Sequence, residues 1–406
     1  MKTSKTLIVI VALAAILSAA APQQVLACSS AIISGKATPD GRPLLWKHRD
    51  TGQLNNRIEY VGRSKDVKYA FIALVNYNEP KEAWSGTNEV GFSIMNTASY
   101  NLQEQEADVE DMEGVVMYDA LRSCRTLADF EKLLDKRKRP MGLEANFGVI
   151  DAEGGAAYYE VNNTEWRKVD VNDPKIAPQG YLVYTNHSYT GRLDDGSGYI
   201  RYTTASEIMI NRVGTGRGIT PQWIFNALSR EFYHSLLGID LRKDSSLTPN
   251  GWFPDCDFIP RRSTSASTVV KGVKKGENPL LTVMWTVLGY PPVSVAVPLF
   301  VAAGENQPAM VMAQSKDNQR CKMCDVALAR RAKVFSLARG NGKTYLQFCL
   351  LQNEEGTGYM QRLAPYEQKV FETFNPAIEE WYAKGEVDLG RLQELYAGTD
   401  FALDVK

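Results

Sequence analysis

Cys28-Ser-Ser-Ala-Ile-Ile-Ser34-Gly-Lys-Ala-Thr-Pro-Asp40-Gly-Arg-Pro-Leu-Leu-Trp46-Lys-His-Arg-Asp50 reads as two short apolar strands, at residues 28–34 and 43–47, joined by a turn. Asp40-Gly41 is the strongest hairpin signal in it. What precedes the stretch gives it meaning. Met1-Lys2-Thr3-Ser4-Lys5 is a short positive region, and an apolar run extends from Leu7 to about Ala21. After the polar break at Gln23-Gln24, Val25 and Ala27 stand three and one residues before Cys28, in the pattern of a signal-peptidase site. Residues 1–27 are therefore expected to be a signal peptide, removed on export to the periplasm or the outside of the cell. The mature chain is expected to begin at Cys28, with no separate propeptide and no self-cleavage.

A terminal cysteine holds a thiol nucleophile and a free amine on one residue. The amine has a reference pKa of roughly 7.7–8.0, so it is suited to act as general base for its own thiol. Two other readings of Cys28 stand beside this one: the anchor of a lipoprotein, and an ordinary disulfide cysteine. Bulky Leu26 fits the lipoprotein pattern poorly.

The 406 residues leave 379 after removal of 27, enough for one large domain or two small ones. A hydrophobic fraction of 44% and a charged fraction of 23% are those of a globular protein. The net charge of −1 gives no electrostatic footprint for nucleic acid. Beyond the leader no apolar run reaches the 18 residues of a membrane span. Residues 282–303 are apolar, but Gly289, Pro291, Pro292 and Pro298 divide them into buried strands and a turn. There are six cysteines and three histidines. Cys321-Lys-Met-Cys324 lacks the second pair or the neighbouring histidines of a zinc site, so a disulfide or two reduced cysteines is expected, and no metal or other cofactor.

Further strands are expected at residues 58–61, 69–75, 92–96, 147–150, 156–160, 181–185, 267–273 and 280–287. Residues 115–138 read as helix, with Thr126 capping the second half. Residues 206–213 form a short helix. A stronger one opens at Thr220-Pro221, with Trp223, Leu228, Phe232 and Leu236 as its stripe and His234 inside it as a structural residue. The chain from Cys321 onward is mostly helical, in three segments. Strands, then helices, then strands argue for an α/β protein of largely antiparallel sheets. No strand leads into a Gly-rich phosphate loop.

The stretch from Cys28 to Asp50 resembles the start of the N-terminal-nucleophile cysteine hydrolases, in the branch of choloylglycine hydrolases, penicillin V acylases, acyl-CoA:6-aminopenicillanate acyltransferases and related dipeptidases. Lys47-His48-Arg49-Asp50 occupies the family's basic-polar-x-Asp element. Gly86-Thr-Asn-Glu89-Val-Gly91-Phe-Ser-Ile-Met-Asn96 resembles its Asn-Glu-x-Gly stretch. Asp151-Ala-Glu-Gly154 with Glu160 resembles a strand pair of the acyltransferase-like members. Val183-Tyr-Thr-Asn186-His187 resembles the Thr-Asn segment. The likeness runs from Cys28 to about Ala303. It implies a four-layer αββα sandwich, with the catalytic domain at residues 28–319 and a helical extension at 320–406 packed on it. The implied activity is hydrolysis of a linear non-peptide amide: an N-acyl amino acid, a bile-salt conjugate or a penicillin-V-like compound. Acyltransferase and dipeptidase are alternatives on the same fold, and a non-catalytic lipoprotein anchored through Cys28 is the alternative outside it.

The resemblance assigns Cys28 as nucleophile and Asp50 as the group that orients the terminal amine. It assigns Asn186 and Asn96 as oxyanion donors and Lys47 as a charge beside the thiol. An Arg from a later strand is also implied. Arg261-Arg262 lies near the expected place, and Arg262 is assigned. Each has a plainer reading: Asp50, Asn96 and Asn186 as turn residues, the arginine pair as a solvated turn. Strand alternation separates Lys47 and Arg49 from His48 and Asp50, which counts against Asp50. His48 and His187 adjoin site residues, so a Cys/His protease is the further alternative, without the local surroundings of that class. Asp50 and Asn186 are expected to line a cleft rather than a core. The expected partner is a small-molecule amide, with no nucleic acid and no membrane span; homo-oligomerisation is left open.

Overall fold

The structure, a computed structural model, describes residues 27–103, 111–193, 195–244, 250–337 and 339–405. The expected signal peptide lies outside the described residues except for Ala27.

The hairpin forms as its turn chemistry predicts: β1 (Ser29–Ile33) pairs antiparallel with β2 (Leu44–Asp50), Ser29 opposite His48 and Ile33 opposite Leu44. Seven consecutive strands then build one antiparallel sheet: β3 (Asn56–Val61), β4 (Phe71–Asn76), β5 (Glu79–Asn88), β6 (Ser93–Ala98), β7 (Ala145–Ile150), β8 (Ala156–Val161) and β9 (Trp166–Asp170). The chain returns to β1 through β10 (Tyr181–Tyr184). Two short hairpin strands, β11 (Tyr233–His234) and β12 (Ile239–Asp240), and β13 (Trp252–Pro254) lead to β14 (Thr264–Lys271), β15 (Val283–Leu288) and β16 (Val297–Leu299). These complete a six-stranded antiparallel sheet in the order β10-β1-β2-β14-β15-β16. β17 (Tyr345–Gln347) pairs with β13.

The two large sheets lie face to face. At Gly148 on β7 any side chain would collide, because a Cβ there would lie 2.2 Å from Met95 Cε and 3.1 Å from Ile32 Cδ1 of the opposite sheet. Hydrogen bonds also cross the layer, from Thr268 Oγ1 to Ser85 Oγ at 3.0 Å and between Ser30 Oγ and Tyr158 OH at 2.9 Å. Buried hydroxyls are tolerated there because they satisfy one another. Helices α1 (Glu113–Ser123) and α2 (Leu127–Lys136) cover the outer face of the seven-stranded sheet. Phe130 of α2 packs on Tyr159 and Phe147. The expected single helix is thus two, since Cys124 is extended and Thr126 restarts the helix with a reciprocal capping box to Asp129.

The outer face of the six-stranded sheet is covered by α3 (Tyr199–Gly214), α4 (Pro221–Ala227), α5 (Lys322–Val334), α6 (Tyr359–Lys384) and α7 (Leu389–Gly398). Trp285 of β15 stacks on Phe371 of α6 at 4.3 Å, and Arg230 pairs with Glu367 at 2.6 Å. Residues 320–406 thereby supply much of this layer. The molecule is the four-layer αββα sandwich. α4 is shorter than its apolar stripe suggests. It ends at Ala227, Leu236 is 70% exposed, and His234 belongs to β11 rather than to a helix.

Candidate active site

The β1–β2 hairpin decides where Cys28 sits. Pairing Ser29 with His48 sets Cys28 beside the end of β2. Its Sγ lies 3.8 Å from the Asp50 carbonyl oxygen, and the residue is 7% exposed. It opens on a cavity of about 520 Å³ whose walls include Lys47, Arg49, Asp50, Trp84, Asn96 and Ala98.

β2 presents two sets of side chains, as alternation requires. Lys47 and Arg49 lie over the Trp84 ring, at 5.7 and 4.5 Å from its centroid. His48 Nε2 and Asp50 Oδ1 share the Thr264 hydroxyl, at 3.3 and 2.5 Å. The β2–β14 ladder is irregular at this point, its register shifting between Thr264 and Ala266. Asp50 is the last residue of β2 and reaches the cavity that Lys47 and Arg49 line. Strict alternation holds along β2 and ceases to separate these groups at its end.

Asp50 Oδ2 accepts from Arg261 Nε at 3.0 Å and from Nη2 at 2.7 Å, a fork-like charge-assisted contact. The same Nη2 donates to the Ala27 carbonyl oxygen at 2.8 Å. Arg261 therefore touches both the carboxylate and the residue whose removal would free the Cys28 amine. The assignment of Arg262 is corrected here. Its side chain lies by Phe335, 5.6 Å from the ring, while its backbone N–H donates to Asp255 Oδ2 at 2.8 Å. One residue of register separates the two arginines, and Arg261 reaches Asp50.

Arg201, in the first turn of α3, was not legible as a site residue. It is fully buried. Its Nη1 donates to the Cys28 carbonyl oxygen at 2.6 Å and to Ser29 Oγ at 2.8 Å, and its Nη2 donates to Asn186 Oδ1 at 2.8 Å. Asn186 is thereby fixed with its oxygen toward Arg201, and its Nδ2 donates to the Ala98 carbonyl at 2.9 Å. Asn186 is fully buried behind Ala98 and does not line the cavity, contrary to the expected cleft position. Asn96 does line it. Its Oδ1 accepts from Lys47 Nζ, which leaves Nδ2 as the end of that amide with no hydrogen-bond partner among the described residues.

The electrostatics follow from burial. Lys47 is 1% exposed, and desolvation lowers its pKa to about 8 despite the opposing influence of Cys28. Arg49 is held by Asn56 and by Asn76 Oδ1, the latter at 2.9 Å. Burial, reinforced by Arg261, lowers the pKa of Arg201 as well. Lys47, Arg49 and Arg201 each interact electrostatically with Cys28. The walls also carry acidic groups, Glu79, Glu82, Asp111 and Glu113, which act on Lys47 and Arg49. Glu113 is buried against Asp111, and desolvation followed by that contact raises its pKa well above the usual range. Neither neighbouring histidine serves the thiol. Burial lowers the pKa of His48 to about 4, and His187 stacks on Tyr199 at 4.2 Å. Among the described residues no histidine hydrogen-bonds Cys28, so the geometry gives the Cys/His protease alternative no support.

Lys47 makes stability depend on pH. Its proton is lost near pH 8 in the folded chain and near 10.5 in the unfolded one. Between those values the unfolded state binds more protons, so stability rises with pH across the window, and the burial penalty is fully present below it. The rise should be about 3 kcal/mol at most. Urea unfolding at pH 8 and 10.5 should show it, and Lys47→Met should remove it. Equal pH dependence in the two proteins would refute the assignment.

No protein-family model and no curated protein matches the chain. Solved structures do. An ortholog of N-acylethanolamine-hydrolyzing acid amidase from Caenorhabditis elegans matches at 15% identity, over 60% of this chain and 92% of that one, with a TM-score of 0.39. A variant of conjugated bile acid hydrolase from Clostridium perfringens matches at 12%, over 68% and 93%, with a TM-score of 0.43. Penicillin V acylase from Agrobacterium tumefaciens matches at 11%, over 67% and 85%, with a TM-score of 0.35. The chain is thus similar in structure to an amidase, a bile acid hydrolase and an acylase.

Proposed function

We propose that the protein is an exported cysteine amidase of the N-terminal-nucleophile kind, hydrolysing a linear non-peptide amide through a Cys28 acyl-enzyme. One observation carries the reading: the hairpin sets the Cys28 sulfur at the mouth of a cavity, beside buried cations and the Asp50–Arg261 pair. With residues 1–27 removed, the Cys28 amine takes the thiol proton and Sγ attacks the amide carbonyl. The Asn96 amide supports the oxyanion, and the buried Asn186–Arg201 pair holds the Cys28 carbonyl and so fixes the nucleophile. The proton passes to the leaving amine, and water then cleaves the thioester to release the acid and regenerate the thiol. Asp50, held by Arg261 and Thr264, orients the amine. A cysteine residue 7% exposed that lines a cavity fits the lipid-anchor alternative poorly.

The walls bear on the substrate. Apart from Cys28, Gly52, Trp84 and Ala98 the lining side chains are polar or charged, with cations and carboxylates both present. The charged side chains in this lining favour an amide that carries a polar or charged group, such as an N-acyl amino acid. The carboxylates also favour the dipeptidase reading, since they would hold a free ammonium. Hydrolysis rates across N-acyl amino acids, dipeptides, penicillin V and bile conjugates decide. No hydrolysis of any amide would overturn the amidase.

Asn186→Ala should lower kcat and kcat/KM together, because Arg201 is then less well held on the Cys28 carbonyl. It should also lower Tm, because Arg201 loses a buried partner. An unchanged kcat with a raised KM would place Asn186 in binding alone.

A further inference from the structure

Three ligand-type side chains converge outside the cavity. We propose that His234, Cys256 and Asp257 bind a zinc ion, with a fourth position open to solvent. The ring nitrogen, sulfur and carboxylate oxygen they offer all lie within 4.8 Å of one another. Bonds of about 2.0–2.3 Å in a tetrahedral site set ligand atoms roughly 3.5 Å apart, so side-chain rotation closes the gap.

The three groups have few partners: the His234 ring packs edge-on against Phe258 at 5.5 Å, and Asp257 lies in the field of Arg261. Among the described residues the His234 ring accepts one long hydrogen bond, from the Leu237 N–H to Nδ1 at 3.4 Å, and Cys256 and Asp257 make no side-chain hydrogen bond or ion pair. Cys256 is a free, exposed cysteine, which gives an ion entry and a water its place. Asp257 has φ of 57°, a left-handed conformation that an L residue with a Cβ adopts at a cost. The charges also fit. A thiolate and a carboxylate balance a divalent ion, with neutral imidazole as the third ligand. The soft sulfur selects zinc or copper over magnesium or calcium.

The consequence is local order. Cys256 and Asp257 lie in the segment between β13 and Arg261, and His234 lies on the β11–β12 hairpin. An ion joining them would pin the approach to Arg261 without touching Cys28. The site does not depend on the amidase reading.

Cobalt(II) tests it on the full-length protein, freed of metal by a chelator and kept without thiol reductant. One equivalent should give a thiolate-to-cobalt charge-transfer band and the visible bands of a four-coordinate site, and zinc should displace both. Cys256→Ser, an exposed position, should abolish the charge-transfer band. Asp257→Asn should weaken binding by about tenfold or more. The Cys321→Ser/Cys324→Ser protein should keep the band. No band at one equivalent, a band that survives Cys256→Ser, or its loss with the Cys321 and Cys324 substitutions would each overturn the proposal.

Discussion

Cys28→Ala should abolish turnover, by about 10⁶-fold in kcat, while the protein folds. The side chain removed is small, and its sulfur makes only a 3.8 Å contact with the Asp50 carbonyl. Little packing is therefore lost. Cys28→Ser should keep a trace of activity, since a hydroxyl is the poorer nucleophile. Alkylation supplies a second reading of the same prediction. Burial pushes the Cys124 thiol up to about 12, so it should resist iodoacetamide. Cys256 is exposed and should react whatever its role. Activity should nevertheless fall in step with modification of Cys28 alone. Activity lost in step with Cys321 or Cys324, with Cys28 unmodified, would move the nucleophile to that pair.

Asp50→Asn should cost both activity and stability. The Asp50 side chain is fully buried, and Arg261 is 15% exposed. Removing the carboxylate charge takes away the buried guanidinium's one hydrogen-bonded anion among the described residues, at about 3–5 kcal/mol. An effect of that size contradicts the simple expectation that a cleft residue is neutral for folding. The loss in kcat should be about 10²–10⁴-fold, because the amine that serves as general base is no longer oriented. The double change Asp50→Asn/Arg261→Gln separates the two effects. It should recover stability, since no unpaired charge remains, and it should not recover kcat. Recovery of both would reduce Asp50 to a structural ion-pair residue.

The sequence was informative where local chemistry decides. Asp40-Gly41 announced the hairpin, and Thr126 announced a helix start. The Pro and Gly residues between Thr282 and Ala303 announced β15, a turn and β16 in place of a membrane span. It was uninformative where a distant partner decides. β5 was not expected because Glu79-Pro-Lys-Glu82 carries no apolar alternation; the strand is fixed by β4 and β6 on either side. α4 was overextended because its apolar stripe continues past Ala227, while the following residues turn back into β11. The site divides in the same way. Cys28, Lys47 and Asp50 share one hairpin, so their nearness follows from local sequence. Arg261 against Arg262 is a matter of register at the start of β14, where the ladder bulges. Arg201 lies 173 residues from Cys28, and no local pattern marks it. Neither did spacing mark the convergence of His234 with Cys256 and Asp257.

The central claim is that Cys28, as the first residue of the mature chain, carries the acyl group. Tandem mass spectrometry of a single turnover, quenched with acid after mixing with the best amide of the panel, tests it most directly. The expected result is an acyl adduct on Sγ of a Cys28 whose α-amine is free. An adduct on another residue, a diacylglyceryl group on Cys28, or full turnover by protein that still carries Ala27 would contradict it.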